Sequence, residues 1–336
     1  LYPTGSNPGK LYGTAKVHKL SSNDTVEQLK LRPIVSNIGT ATYETAKYLS
    51  RLLRPLTISE YTVENTENFI DSIRNTIIPI GFKMVSFDVK SLFTNVPLER
   101  TIDIILKKIY VEKLIITDIK EKKLKGLLML CTKQVHFSFN NEFYIQQDGV
   151  AIGSPLGPVI ANIFMSELEN SIVPQLGDCI IGWKRYVDDT FAFIDPDKLE
   201  EINDILNSFD NNISFTHELE QNNQLPFLDA LISNNNGNIQ STVYRKPTNT
   251  DVYINWNAHA PKIWKIGTIR TLVKRALTIC LDKKSLDAEL KYIKHALINI
   301  NNYPPKVIND IILDERKIYS NNKKQIIEIP KEKKTS

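Results

Sequence analysis

The sequence predicts an α+β fold with a mainly antiparallel sheet. Two observations predict it. Helical and strand-like segments interleave along the whole chain, and the strands come largely as hairpin pairs, at 135–145, 183–194 and 227–245. Paired antiparallel strands among helices exclude a doubly wound parallel sheet, whose strands alternate one by one with helices.

The elements follow in order. Residues 1–60 are basic and open on turn residues, Pro3, Gly5, Asn7, Pro8 and Gly9. Leu11 to Lys19 and Leu31 to Ser36 read as short strands, with the polar loop Ser21 to Glu27 between them. Thr42 to Leu56 and Asn65 to Ile77 have helical spacing. Met84 to Val89 is a compact apolar run interrupted by an acid, Asp88, and reads as a buried strand. Pro97 suits a first helical position, so a helix is expected over Leu98 to Tyr110, and another over Thr117 to Thr132. Phe137 to Tyr144 alternates on both sides of Asn140-Asn141, a hairpin signal. Gly149 to Gly157 is a glycine-rich turn, followed by an apolar helix from Pro158 to Ile172.

Trp183 to Ile194 reads as strand–turn–strand, with Asp188-Asp189 at the turn. Leu199 to Phe209 reads as a helix and Ile213 to Leu219 as a strand. Phe227 to Ile232 and Ile239 to Arg245 flank a turn at Asn234-Asn235-Asn236-Gly237-Asn238. From Pro261 onward the pattern is mostly helical. The end, with Lys323, Lys324, Lys331, Lys333 and Lys334, reads as a disordered basic tail over 321–336. No internal repeat stands out.

Composition narrows the function classes. The chain has 336 residues, enough for two or three subdomains. The net charge of +4 (42 basic, 38 acidic) is too small to argue for nucleic acid by itself. No apolar run is long enough to span a bilayer, and no signal-peptide pattern opens the chain. Three scattered cysteines, Cys131, Cys179 and Cys280, give no disulfide framework and fit a reducing compartment. The expected location is therefore intracellular, nuclear or cytoplasmic, rather than secreted or membrane-bound. The five histidines, His18, His136, His217, His259 and His295, lack zinc-ligand spacing. The first residue is Leu1 rather than Met, which points to a fragment or a processed product.

The carboxylates carry the chemistry. Polymer-forming phosphoryl transfer needs two divalent ions roughly 3.5–4 Å apart, held by a few rigid acids. Magnesium takes oxygen ligands, commonly one or two carboxylates plus substrate phosphates. Asp188 and Asp189 are adjacent at a tight turn, and Asp88 lies near the end of a separate strand. Taken alone, Asp-Asp is a common turn pair and Asp88 an ordinary strand-end acid. The elements around them decide otherwise.

Ser86-Phe87-Asp88-Val89-Lys90-Ser91-Leu92-Phe93 resembles the first catalytic motif of reverse transcriptases. Gly149-Val150-Ala151-Ile152-Gly153-Ser154-Pro155-Leu156-Gly157-Pro158 resembles the second, and Tyr186-Val187-Asp188-Asp189 the third, in the same order and spacing. Four further stretches resemble the reverse transcriptases of Penelope-like retroelements: residues 12–19, Arg32-Pro33-Ile34-Val35-Ser36, Leu225-Pro226-Phe227-Leu228-Asp229 and Val243-Tyr244-Arg245-Lys246-Pro247-Thr248. The resemblance covers roughly residues 10–280, and the combination is more specific than any one piece.

The resemblance implies a right-hand polymerase. Its fingers would be 1–80, its palm 81–245 with 98–139 as an insertion contributing to the fingers, and its helical thumb 246–320. The implied activity is RNA-directed DNA synthesis from deoxynucleoside triphosphates, with an RNA template and a DNA primer or target DNA. Asp88, Asp188 and Asp189 would be catalytic and, with Val89, would hold two Mg2+ ions, for which Mn2+ can substitute. Lys16, Arg32, Phe93, Gly149, Gly153, Ser154 and Pro155 would bind the nucleotide. Arg suits triphosphate because its planar fork gives two bonds to phosphate oxygens. Phe93 would occupy the place of a ribose 2′-hydroxyl and exclude ribonucleotides sterically. Tyr186, Lys262, Lys265, Arg270, Lys274 and Arg275 would touch nucleic acid, the last five along a thumb helix. Scattered lysines on a solvated helix face are an equally ordinary reading of that segment.

Two departures qualify the resemblance. Many relatives carry a Gln just before the second motif's glycines; here Gly149 stands at that spacing, with Gln146 and Gln147 upstream. The GIY-YIG-type endonuclease domain common in the family has no counterpart in these residues, so DNA cleavage is not assigned. Two other readings stay open: an RNA-templated RNA polymerase of the same palm type, which Phe93 disfavours, and an inactive copy that only binds nucleic acid. Oligomeric state is not legible.

Overall fold

The structure, a computed structural model, describes residues 6–16, 29–235 and 237–328, with the backbone alone from 322 onward. The expected strand residues Val17 to Lys19, the loop Ser21 to Glu27, Asn236 and residues 329–336 lie outside the described residues.

Two antiparallel strands come first, β1 (Gly9–Ala15) and β2 (Leu31–Ser36). Helix α1 (Tyr43–Leu53) buries Ala46, Leu49 and Leu53, a helical stripe, and tightens into a 3-10 turn at Arg54–Thr57. Helix α2 (Thr66–Ile73) starts at Asn65, whose side chain accepts the Asn68 N–H at 2.9 Å. It ends four residues short of the expected Ile77. Pro79 disfavours helical backbone at Ile78, and the chain turns off through a Thr76 N–H to Ile73 carbonyl bond.

Strand β3 (Lys83–Val89) leads through the short α3 (Leu92–Asn95) to α4 (Leu98–Leu106), which widens into a π turn at Lys107–Val111. Pro97 caps α4 from outside rather than forming its first residue. Helix α5 (Glu121–Thr132) starts later than the expected Thr117, because the Thr117 hydroxyl accepts the Ile119 N–H and makes a local turn instead. Strands β4 (His136–Phe139) and β5 (Glu142–Ile145) form the expected hairpin. Asn140 and Asn141 both have positive φ, 51° and 64°, the requirement of a type I′ turn.

Helix α6 (Gly157–Leu176) is followed by β6 (Ile180–Tyr186), β7 (Asp189–Ile194), α7 (Leu199–Ser208) and β8 (Phe215–Leu219). Next come β9 (Gln224–Phe227), β10 (Ala230–Asn235) and β11 (Asn238–Val243). The expected single strand Phe227 to Ile232 is thus two strands. The chain reverses at Leu228, a non-glycine residue with φ 52°. Helices α8 (Lys262–Ile279), α9 (Lys283–His295) and α10 (Pro305–Glu328) complete the chain. Helix α10 carries on through 321–328, where a disordered tail was expected.

Among the described residues three sheets form, in the orders β2-β1-β4-β5, β6-β7-β3-β8 and β11-β10-β9. Every pairing is antiparallel except a short parallel one between β1 and β4. The chain divides into two compact units. Leu1–Glu64 with Gly81–Glu220 form the first, and Asn65–Ile80 with Gln221–Ser336 the second. Residues 65–80 and 221–245 thus fall in the second unit, together with α8, α9 and α10. In the first unit a core of α1, α4, α5, α6 and α7 side chains packs against β3, β6 and β7. In the second, α8, α9 and α10 share a core around Ile269, Val273, Leu297 and Ile308.

Candidate catalytic site

Strand β3 lies between β7 and β8 in its sheet. Its alternation sends Val85, Phe87 and Val89 into the core and leaves Asp88 exposed on the other face. Asp88 is the direct cross-strand partner of Asp189 on β7. Such partners hold their Cβ atoms about 4.5–5.5 Å apart. Between β6 and β7 the turn is only Val187-Asp188, and Tyr186 faces Asp189 across it. All three aspartates therefore sit at one end of one sheet. The Val89 N–H donates to the Asp188 carbonyl at 3.2 Å, and the Thr216 hydroxyl to the Asp88 carbonyl at 3.2 Å.

A divalent cation fits the chemistry of this donor set. Two carboxylates in register and a third in the adjoining turn offer hard oxygen ligands, and phosphate oxygens of a substrate can complete such a shell. Among the described residues no three His, Cys, Asp or Glu side chains enclose a cation site by themselves. Val89 has its side chain in the core and its N–H already bonded, so its carbonyl oxygen is the one atom it can offer.

The turn is strained and held from beneath. Val187 has φ 59°, a left-handed conformation costing a β-branched residue about 1–3 kcal/mol. Arg185, two residues earlier, is wholly buried together with Glu169 of α6. Its Nε and one terminal nitrogen donate to the two Glu169 carboxylate oxygens, at 2.7 and 3.0 Å. The other terminal nitrogen donates to Asn162 Oδ1 at 2.7 Å and to the Val187 carbonyl at 2.9 Å. Ser166 accepts at 3.3 Å, and Trp183 Nε1 donates to Glu169 at 3.0 Å. None of these partners was expected from the sequence. The available signal was the alternation of β6, which sends Trp183 and Arg185 inward, and the acid Glu169 inside an apolar helix.

The glycine-rich turn fits between two other parts of the site. Gly149 has φ 68°, and a Cβ there would lie 2.5 Å from the Thr94 carbonyl and 2.6 Å from the Phe93 oxygen. The next N–H, of Val150, donates to Phe93 O at 2.7 Å. Gly153 has φ 118°, and a Cβ there would run into the Val35 carbonyl of β2; the Val35 N–H donates to Ile152 O at 2.9 Å. Only glycine permits both approaches. The Ser154 side chain is committed to structure: buried, its Oγ accepts the Leu156 N–H at the start of α6. Pro155 is half-buried beside it. Gln146 donates its side-chain amide to the Asp148 carbonyl at 2.9 Å, and Gln147 is exposed. Phe93 is half-buried against the core of the first unit.

Arg32 lies opposite Thr14 in the β1–β2 ribbon, and the Lys16 N–H donates to Lys30 O at 2.9 Å. That register puts Lys10, Lys16 and Arg32 on one face of the ribbon. The two residues expected to meet a triphosphate thus share a face.

In the second unit the expected basic stripe splits. Lys262, Arg270 and Lys274 are exposed on α8, with Arg270 3.4 Å from Glu315. Lys265 instead ties down the preceding loop, donating to the Trp256 and Ala258 carbonyls at 2.6 and 2.7 Å. Arg275 is only partly exposed.

Residues 31–221, more than half the chain and all three aspartates, match the family model described as reverse transcriptase (RNA-dependent DNA polymerase). The chain belongs to the reverse transcriptase family. Residues 252–313 of this family member also match the model of an animal helix-turn-helix domain, over the stretch that holds α8, α9 and the first part of α10. No curated protein matches the sequence. Among solved structures, the chain resembles telomerase from Candida albicans in complex with a telomeric RNA fragment: TM-score 0.63, 11% identity, covering 94% of this chain and 60% of that one. It also resembles the RNA-dependent RNA polymerase of a human picobirnavirus, at TM-score 0.55 and 10% identity, covering 86% and 55%. Apo telomerase from Candida tropicalis gives 0.53 and 12%, covering 94% and 63%. This member spans a little over half the length of those polymerases. Their fold, a right-hand palm with mixed helices and antiparallel sheets, is its fold too. Among the described residues no helix is long and apolar enough to cross a membrane.

Proposed function

We propose that the chain is the RNA-directed DNA polymerase of a Penelope-like retroelement, joining deoxynucleoside triphosphates to a primer 3′-hydroxyl on an RNA template. The observation that carries this reading is the in-register pairing of Asp88 with Asp189, with Asp188 next in the turn. Asp88, Asp188, Asp189 and the Val89 carbonyl would hold two Mg2+ ions, or Mn2+. Bound there, the ions supply the charge that activates the attacking hydroxyl and stabilises the leaving pyrophosphate. Arg32 and Lys16 would orient the triphosphate. Gly149 and Gly153 would set the floor of the nucleotide site by letting backbone approach backbone. Phe93, fixed through its carbonyl to Val150, would exclude a 2′-hydroxyl. Tyr186 and the exposed Lys262, Arg270 and Lys274 would face primer and template, with Arg275 beside them; Lys265 has the weaker claim. In functional terms 1–80 would serve as fingers, 81–245 as palm and 246–320 as thumb. The site of action would be the nucleus or cytoplasm, where such templates are found.

The test is primer extension on RNA with Mg2+ and either deoxy- or ribonucleotides. DNA synthesis that Asp188→Asn abolishes supports the proposal. Ribonucleotide use at an equal rate would point to an RNA polymerase, and duplex binding without extension to an inactive copy. Phe93→Val should raise ribonucleotide incorporation; an unchanged ratio removes the steric role.

A further inference from the structure

We infer that Arg185 is a positioning residue, which sets the Asp188 carboxylate through the Val187 carbonyl; this rests on the polymerase reading above. Arg185 has five N–H donors, and all five are used. Two go to Glu169, and one each to Asn162, Ser166 and Val187. Four of the five acceptors belong to α6. The fifth is the main chain of the catalytic turn.

The peptide group is planar, so an anchored Val187 carbonyl fixes the plane that also carries the Asp188 nitrogen and Cα. The anchor has something to resist. Val187 sits at φ 59°, which a β-branched residue leaves unless held. The guanidinium has a firm base from which to hold it. The Arg185 N–H donates to Tyr61 O at 2.7 Å, and its carbonyl accepts the Val63 N–H at 2.9 Å. Glu169 fixes the fork by its two-point pairing.

A plain helix-to-sheet tie is the other account of this cluster. Well-packed apolar residues commonly stabilise a core as much as a buried ion pair does, or more. The bond to Val187 is what an apolar replacement could not supply. A tie alone would also leave the turn's cation affinity unchanged when that one bond is lost.

Two single substitutions separate the roles. Arg185→Lys keeps a cation for Glu169, but one ammonium cannot also span to Val187. Glu169→Gln removes the ion pair and leaves the Arg185–Val187 bond possible. Binding of Mn2+ alone is read by electron paramagnetic resonance, with Asp188→Asn as the control, and folding by thermal melting. The expected result is that Arg185→Lys weakens Mn2+ binding by about tenfold to a hundredfold, the range for losing an outer partner of a metal ligand. It should raise the Mg2+ needed for extension and leave the primer–template KM unchanged. Glu169→Gln should lower the melting temperature more and Mn2+ affinity less. Adding Val187→Gly to Arg185→Lys should restore part of the affinity, because glycine adopts the turn's φ unaided.

Equal Mn2+ affinity in wild type and folded Arg185→Lys would overturn the inference. So would parallel losses in both single variants, or no recovery in the double variant. Asp188-dependent Mn2+ binding without any primer extension would sink the polymerase reading and leave the Arg185 comparison standing. Absence of Asp188-dependent binding in wild type would overturn both.

Discussion

Replacing Gly149 by Ala should cost far more than replacing Gly39 by Ala, although both glycines have positive φ. Gly39, at φ 79°, has nothing within 4 Å of the position a Cβ would take. Its substitution carries only the left-handed penalty, about 1–2 kcal/mol. Gly149, at φ 68°, carries the same penalty, and its Cβ would also lie 2.5 Å from both the carbonyl carbon and oxygen of Thr94. Those are main-chain atoms in the short α3, and they cannot rotate away. Forcing them apart adds an overpacking cost of about 1–3 kcal/mol. The expected losses are therefore about 2–5 kcal/mol for Gly149→Ala against about 1–2 for Gly39→Ala. Native-state hydrogen exchange at the β3 amides reads the difference within the first unit. The clash also pushes on Phe93, so ribonucleotide discrimination should fall in Gly149→Ala alone. Equal destabilisation by the two substitutions would refute the close-approach argument. Unchanged sugar selectivity in a folded Gly149→Ala would refute the link to Phe93.

Three further outcomes are expected. Lys265→Ala should lower the melting temperature while leaving duplex affinity within twofold, because its ammonium serves the Trp256 and Ala258 carbonyls; filter binding and a thermal melt check this. Arg245→Lys should destabilise the second unit by about 2 kcal/mol, since Arg245 pairs in two-point fashion with Glu289 and lies 3.9 Å over the Tyr292 ring; urea unfolding reads the loss. Burial pushes the Cys131 and Cys280 thiols from about 9 up to about 11. Their folded values are raised, so their contribution to stability is full below pH 9 and is lost as pH rises toward 11. Melting temperature should fall over that window, and less steeply in Cys131→Ala, as calorimetry would show.

Local signals in the sequence were reliable where a residue acts on its own neighbours. The β2 boundaries at Leu31 and Ser36, and the Asn140-Asn141 turn, were legible because alternation and turn chemistry act over a few residues. The β9–β10 reversal was not, because Leu228 adopts a positive φ that nothing in Pro226-Phe227-Leu228-Asp229 announces. Each aspartate could be placed at a strand end or a turn from sequence. That Asp88 faces Asp189 is a matter of register between strands far apart in the chain, and register is set by the packed sheet. Arg185 and Glu169 were passed over for a related reason. Charged side chains are almost never fully buried unless paired, and each partner lay in a different element. Lys265 reads from sequence as one of a basic stripe, nucleic-acid-facing or solvated; its bonds to the Trp256 and Ala258 carbonyls depend on a loop that the helical pattern does not show.

The interleaving of the two units bears on how the polypeptide matures on the ribosome. Helix α2 emerges early, yet it belongs with the second unit, where Phe69 lies 4.6 Å from Phe227. Phe69, Ile70 and Ile73 are fully buried in the finished protein. Until synthesis reaches Phe227 they have no such cover, and the whole intervening segment of the first unit must be made first. Loop closure over so long a stretch is slow, and exposed apolar helices invite aggregation in the meantime. A nascent chain stalled before Gln221 would therefore present the α2 stripe to chaperones, and one released after α8, which also packs on α2, would conceal it.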